Sequence, residues 1–152
     1  MTKIIFVCFG NICRSPMAEF IMKNLVYESC LENDFQIESA GCHASVGTPM
    51  SNGTAYELKR NFIPFDPYTS KLFRASDYQK FDYLIGMDSS NVRDMKEICG
   101  GDPDNKIFLF MEFAGESRDV ADPYYTDDYM ETFEDCFAGC NALLKKISRE
   151  TA

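Results

Sequence analysis

Cys8-Phe9-Gly10-Asn11-Ile12-Cys13-Arg14-Ser15-Pro16 is the stretch whose reading decides the fold. The apolar run Ile4-Ile5-Phe6-Val7 leads into it, and Met17, Phe20, Ile21 and Leu25, at helical spacing, lead out. A strand, a tight loop and a helix start thus follow one another directly. Five residues separate Cys8 from Arg14, enough to curl the backbone round a small tetrahedral anion. Successive N–H groups then form a nest, and the helix adds its positive end. Gly10 is expected to supply a positive φ or a close backbone approach. Ser15 and Pro16 read as the N-cap and first residue of the helix. Such a setting favours a thiolate at Cys8. Arg14, planar and always charged, grips two oxygens of a phosphate at once. A thiolate beneath a bound phosphorus is placed to form a phosphocysteine. Alone, Cys8 would read as an inert buried thiol and Arg14 as a solvated residue; the complete string reads as chemistry.

The bulk numbers fit that reading. A chain of 152 residues suits one domain, residues 1–152, with one sizeable core. Apolar residues make up 45% and charged residues 26%, ordinary for a soluble protein. The 15 Lys and Arg against 24 Asp and Glu give a net charge of −9. This argues against a broad nucleic-acid surface, which needs clustered cations, so phosphate binding must be local. The seven cysteines (8, 13, 30, 42, 99, 136 and 140) are odd in number, and the first apolar run is too short for a secretory leader. Free thiols in a reducing, cytoplasmic setting are the expectation. No run is long enough to span a membrane, and no repeat, low-complexity tract or linker stands out.

Along the chain, strands are predicted over 3–8, 35–39, 83–87 and 107–110. Helices are predicted over 16–31, 49–61 and from Asp88 or Ser89 to Ile98. A short turn is predicted over 77–81. A final helix carries Met130, Phe133, Phe137, Cys140, Leu144 and Ile147 on its apolar face. Residues 114–126 read as a long acidic loop. Strands alternating with helices predict an α/β three-layer sandwich around a parallel sheet. In such sheets ligands bind off the carboxyl ends of strands, where the loop after the first strand lies. Cys136 and Cys140, four apart on an amphipathic helix, read as packing residues, with no second ligand pair for a metal.

The string from Cys8 to Glu19 resembles the signature of the low-molecular-weight protein tyrosine phosphatases, and Asp122-Pro123-Tyr124-Tyr125 supplies a second match. The likeness runs from Lys3 to about Lys146. It implies a flavodoxin-like phosphatase fold with a four-stranded sheet in the order 2-1-3-4. It also implies a cysteine-dependent phosphatase acting on phosphotyrosine proteins or small aryl phosphates, with no cofactor or metal, as a monomer or weak homodimer. By resemblance Cys8 is the nucleophile and Asp122 the general acid and base. Phe9, Gly10, Asn11, Ile12, Cys13, Arg14 and Ser15 bind the phosphate. Ser39 buttresses Asn11, and Asp88 orders Ser15 or Arg14. Tyr124 and Tyr125 wall the pocket and are phosphorylated in some members. Cys13 pairs reversibly with Cys8 on oxidation.

Two features depart from the family. Members often carry a His that supports the loop near residues 66–71, where this chain has Asp66-Pro-Tyr-Thr-Ser-Lys71. The loop at Cys42-His43-Ala44-Ser45-Val46 lacks the large aromatic often found there, and its His43, the only histidine, stands in for it or is exposed. Rival readings are a protein-arginine phosphatase, an arsenate reductase on the same fold, and a phosphate-binding module without turnover. Ile12, where the arginine branch tends to carry Thr, favours the tyrosine branch. Arsenate reduction needs two further cysteines after the third strand, and Cys99 is alone there.

Overall fold

β1 (Thr2–Cys8) buries every residue from Ile4 to Cys8, and the rest of the fold is what covers its two faces. In the computed structural model, which describes residues 1–151, β1 lies between β2 (Phe35–Gly41) and β3 (Tyr83–Gly86), and β4 (Ile107–Leu109) completes the sheet. All pairings are parallel and the order is 2-1-3-4. Alternation along β1 divides the core. Ile4, Phe6 and Cys8 face one cluster, with Met17 and Ile21 of α1 (Arg14–Glu28), Leu58 of α2 (Asn52–Arg60) and Leu143 of α6 (Tyr129–Thr151). Ile5 and Val7 face the other, with Tyr78 of α3 (Asp77–Lys80) and Met95 of α4 (Ser89–Cys99). Helices on both faces are the layer arrangement that a sheet apolar on both sides requires. Among the described residues no helix is long and apolar enough to cross a membrane.

Several boundaries differ from the sequence expectation. α1 begins at Arg14, not Pro16; Cys13 is its N-cap residue, without a side-chain bond, and Ser15 faces inward. It stops at Glu28 because Cys30 turns left-handed, at φ 59°. Pro49 lies outside α2 and bridges to Thr69, while Ser51 caps the helix by accepting from Thr54 N. The acidic loop contains a short helix, α5 (Pro123–Thr126). Phe110 opens a 3-10 turn instead of ending β4.

The face of α6 is also shifted. Met130 and Phe137 are exposed, and the buried stripe is Thr132, Asp135, Cys136, Gly139, Cys140, Leu143 and Ile147. Gly139 is the reason. A Cβ there would stand 2.4 Å from Cζ of Phe110, so the buried Phe110 ring occupies the space that a larger residue would claim.

Candidate active site

The curl of the loop after β1 is held from outside through its carbonyls. Cys8 O accepts from Cys42 N (3.0 Å), Phe9 O from His43 N (2.9 Å) and Ile12 O from Ser51 N (2.8 Å). Asn11 O accepts from the Tyr68 hydroxyl (2.9 Å). In a planar trans peptide, C=O and the following N–H point in opposite directions. Each carbonyl drawn outward therefore turns the next residue's N–H to the inside of the loop. That covers Phe9, Gly10, Ile12 and Cys13. Asn11 N itself points at Cys8 Sγ, 3.2 Å away.

The left-handed residue is Asn11, at φ 58°, and not Gly10, whose φ is not positive. Asparagine tolerates this region because its short side chain finds local hydrogen bonds, and here it is fully enclosed. Its Oδ1 accepts from Lys71 N (2.8 Å), and its Nδ2 donates to Ser15 Oγ (2.8 Å) and Ser39 Oγ (3.0 Å). The close approach expected at Gly10 occurs instead at Gly41. A Cβ on Gly41 would stand 2.7 Å from Phe9 O and 2.9 Å from Asn11 N.

Cys8 Sγ lies 2.9 Å from Ser15 Oγ. Ser15 already accepts from Asn11 Nδ2, so its own proton is left for the sulfur or for Ala40 O, which lies farther off at 3.4 Å. Behind it, Ser39 Oγ donates to the buried Glu19 carboxylate (2.6 Å), and Lys23 Nζ donates to the other oxygen of that carboxylate (2.6 Å). Cys13 touches Ser51 Oγ (3.4 Å) and Tyr129 Oη (3.8 Å). Burial pushes the Cys13 thiol up, against the lowering effect of those two hydrogen bonds.

Arg14 is 3% exposed, and its two terminal nitrogens are divided between two carboxylates. Nη1 donates to Asp88 Oδ2 (2.7 Å) and to Val120 O (3.0 Å), and Nη2 to Asp122 Oδ2 (3.3 Å). Burial alone would weaken its charge, but the fields of Cys8, Asp88 and Asp122 outweigh this and raise its pKa. Asp88 touches Arg14 and not Ser15. It also caps α4, accepting from Asn91 N (2.7 Å) and Ser90 Oγ (2.6 Å). Burial raises the Asp88 carboxyl, yet the bonds from Ser90, Arg14 and Asn91 leave it below the ordinary carboxylate range. Asp122 caps α5, with Pro123 in the first position and Oδ1 accepting from Tyr124 N (3.0 Å).

Above the loop opens a cleft of about 730 Å³ with Cys8 and Arg14 among its lining residues. Phe9 and His43, ring centroids 4.6 Å apart, line it together with the exposed pair Tyr124 and Tyr125, 5.1 Å apart. His43 is half-exposed and lies 3.2 Å from Asp94, so it is both solvated and an aromatic of the wall. Among the described residues no three His, Cys, Asp or Glu side chains gather in a way that could hold a metal. The buried Cys136 and Cys140 thiols donate to Arg14 O and Ala18 O, which fits packing residues.

The family profile described as low molecular weight phosphotyrosine protein phosphatase matches residues 3–152. The chain belongs to that family. Low molecular weight protein-tyrosine-phosphatase PtpA of Staphylococcus epidermidis is 40% identical over 99% of this chain and 96% of its own. The crystal structure of YfkJ from Bacillus subtilis superposes with a TM-score of 0.96 at 35% identity, covering 100% of this chain and 98% of that one. SP-PTP, a low molecular weight protein tyrosine phosphatase from Streptococcus pyogenes, gives a TM-score of 0.86 at 42% identity, over 96% and 93% of the two chains.

In this low molecular weight phosphatase the signature loop and the distant Asp122-Pro123-Tyr124-Tyr125 segment meet at one cleft, joined by Arg14. The sequence reading missed Tyr68, Gly41 and Glu19. The tightness at Gly41 leaves no mark in the local sequence, since it depends on what β1 carries beyond the strand. Tyr68 stands within the segment where family members often carry His, which was the one available signal.

Proposed function

We propose that the chain is a protein tyrosine phosphatase, residues 1–152 acting as one domain, that hydrolyses phosphotyrosine and small aryl phosphates through a phosphocysteine on Cys8. The observation that carries the reading is the Cys8 sulfur at the base of a loop in which the carbonyls of Cys8, Phe9, Asn11 and Ile12 are tied outward, with Arg14 beside it. In the first step Cys8 Sγ attacks phosphorus in line. The S–P bond forms as the P–O(aryl) bond breaks, and Asp122 gives its proton to the departing phenolate. Loop N–H groups and Arg14 hold the three equatorial oxygens.

In the second step Asp122, now a carboxylate, takes a proton from water as the water oxygen attacks phosphorus. The S–P bond breaks and the thiolate leaves, met by the Ser15 hydroxyl. A bound phosphate group competes with Asp122 for Nη2 of Arg14, now 3.3 Å away, which frees the acid where it is needed. Tyr124 and Tyr125 offer faces on which a substrate ring can stack, and phosphate-like anions act as competitors. Cys13, at the far end of the loop and one residue before Arg14, is the candidate partner for a reversible disulfide.

Hydrolysis of a phosphotyrosine peptide in EDTA tests the reading. Activity should survive the chelator, vanish in Cys8→Ser and fall by roughly 10²–10⁴ in Asp122→Asn. A wild type that leaves phosphotyrosine intact under reducing conditions, yet consumes phosphoarginine, overturns the tyrosine assignment.

A further inference from the structure

Four loop carbonyls are drawn outward, and three of them are held by backbone N–H groups that only a proline would remove. The exception is Asn11, whose carbonyl depends on the Tyr68 hydroxyl, the only donor to it among the described residues. This is also the loop's one left-handed position, φ 58°.

We propose that Tyr68 is a positioning residue of the phosphate loop: by drawing the Asn11 carbonyl outward, it aims the Ile12 N–H at the bound anion. If the peptide between Asn11 and Ile12 turned over, a carbonyl oxygen would face the anion where a donor should be. The proposal rests on the phosphate-binding reading of the loop given above.

The distribution of protons leaves Tyr68 no other task. Its hydroxyl also lies 3.1 Å from Ser39 Oγ. Ser39 spends its one proton on Glu19, an acceptor only, and accepts from Asn11 Nδ2. The Tyr68 proton is therefore committed to Asn11 O. Burial pushes the ionisation of Tyr68 well above its ordinary value, so the hydroxyl remains a donor.

The residue is itself fixed. Its ring meets Phe20 edge-on at 5.8 Å. The chain just beyond it is stitched to the end of β2, with Gly41 N donating to Lys71 O and Phe73 N to Gly41 O, both at 2.9 Å. A rigid donor from outside the loop thus stands where a backbone amide serves the other three carbonyls.

The test is inorganic phosphate binding by titration calorimetry, which needs no turnover, beside kcat and KM on an aryl phosphate. Tyr68→Phe removes one oxygen and keeps the ring. It should weaken phosphate binding about tenfold, the size expected when a buried carbonyl loses its partner, with kcat/KM falling in parallel. Tyr68→His, which returns an N–H donor, should recover most of the affinity.

Phosphate binding within twofold of wild type in Tyr68→Phe overturns the proposal, as does a Tyr68→His protein that binds no better than Tyr68→Phe. A Tyr68→Phe protein that does not fold also overturns it, because the hydroxyl then serves the fold and not the site. A wild type that binds phosphate without hydrolysing the ester would refute the enzymatic reading and leave this test intact.

Discussion

Replacing Gly41 by alanine adds one methyl group to the strand that holds the loop. Gly41 has no positive φ, so alanine meets no backbone penalty and space alone opposes it. The new Cβ would stand 2.7 Å from Phe9 O, 2.9 Å from Asn11 N and 3.0 Å from Gly10 C. All three are backbone atoms and none can rotate aside. Restoring ordinary contact of 3.4 Å to Phe9 O requires about 0.7 Å of movement between β2 and the loop. Overpacking of this kind costs about 1–3 kcal/mol, a fall in Tm of several degrees for a chain of this size.

The site should suffer more than the fold, because the displaced peptides carry the N–H groups of Gly10 and Asn11. Misplacement approaching 1 Å costs up to roughly 10²-fold in rate, so kcat/KM on an aryl phosphate is expected to fall about 10- to 100-fold. The assay pairs that measurement with the inhibition constant of inorganic phosphate and a thermal melt. A Gly41→Ala enzyme with kcat/KM and phosphate inhibition within twofold of wild type would show that β2 does not set the loop.

Gly139→Ala is the matching control: a Cβ 2.4 Å from the buried Phe110 ring should destabilise by about 1–3 kcal/mol, with kcat/KM unchanged, and an equal loss of activity would count against the separation of site from core. Phe62 sits left-handed at φ 59° while 91% exposed, so Phe62→Gly should stabilise by about 0.5–1 kcal/mol, read as a rise in denaturation midpoint; a fall would mean that the ring makes contacts not seen here. Asp88→Asn keeps a side chain able to cap α4 but removes the charge facing Arg14. Because the folded carboxyl lies below its ordinary range, its contribution is complete above about pH 4 and is lost as pH falls through the folded value. The variant should therefore be weaker by about 1–2 kcal/mol near pH 7, the gap closing below pH 4 in urea unfolding; a gap that does not change with pH would refute the charge argument.

The nature and order of the main elements were legible because the apolar patterns are long and uninterrupted. Cys8, Arg14 and Asp122 were legible as residue types in a motif. What the sequence concealed depends on partners distant in the chain. Asn11 takes the left-handed turn, though Gly10 is the better intrinsic candidate, because the amide finds Ser15, Ser39 and Lys71. The face of α6 was misplaced because Met130 and Phe137 are apolar yet exposed, whereas Gly139, with no hydrophobic signal, admits Phe110. Ser15-Pro16 looks like a helix cap, but Ser15 is wanted by Cys8 and the helix starts two residues earlier, at Arg14.

The amides of Cys42 and His43 donate to loop carbonyls directly beyond the paired end of β2, where Cys8 meets Gly41. The loop after β1 is thus a continuation of the central sheet and belongs to the same cooperative unit. Its hydrogens should exchange with solvent only through openings close to global unfolding. A ligand arriving there finds the loop already ordered, so little of its interaction energy is spent on ordering the site.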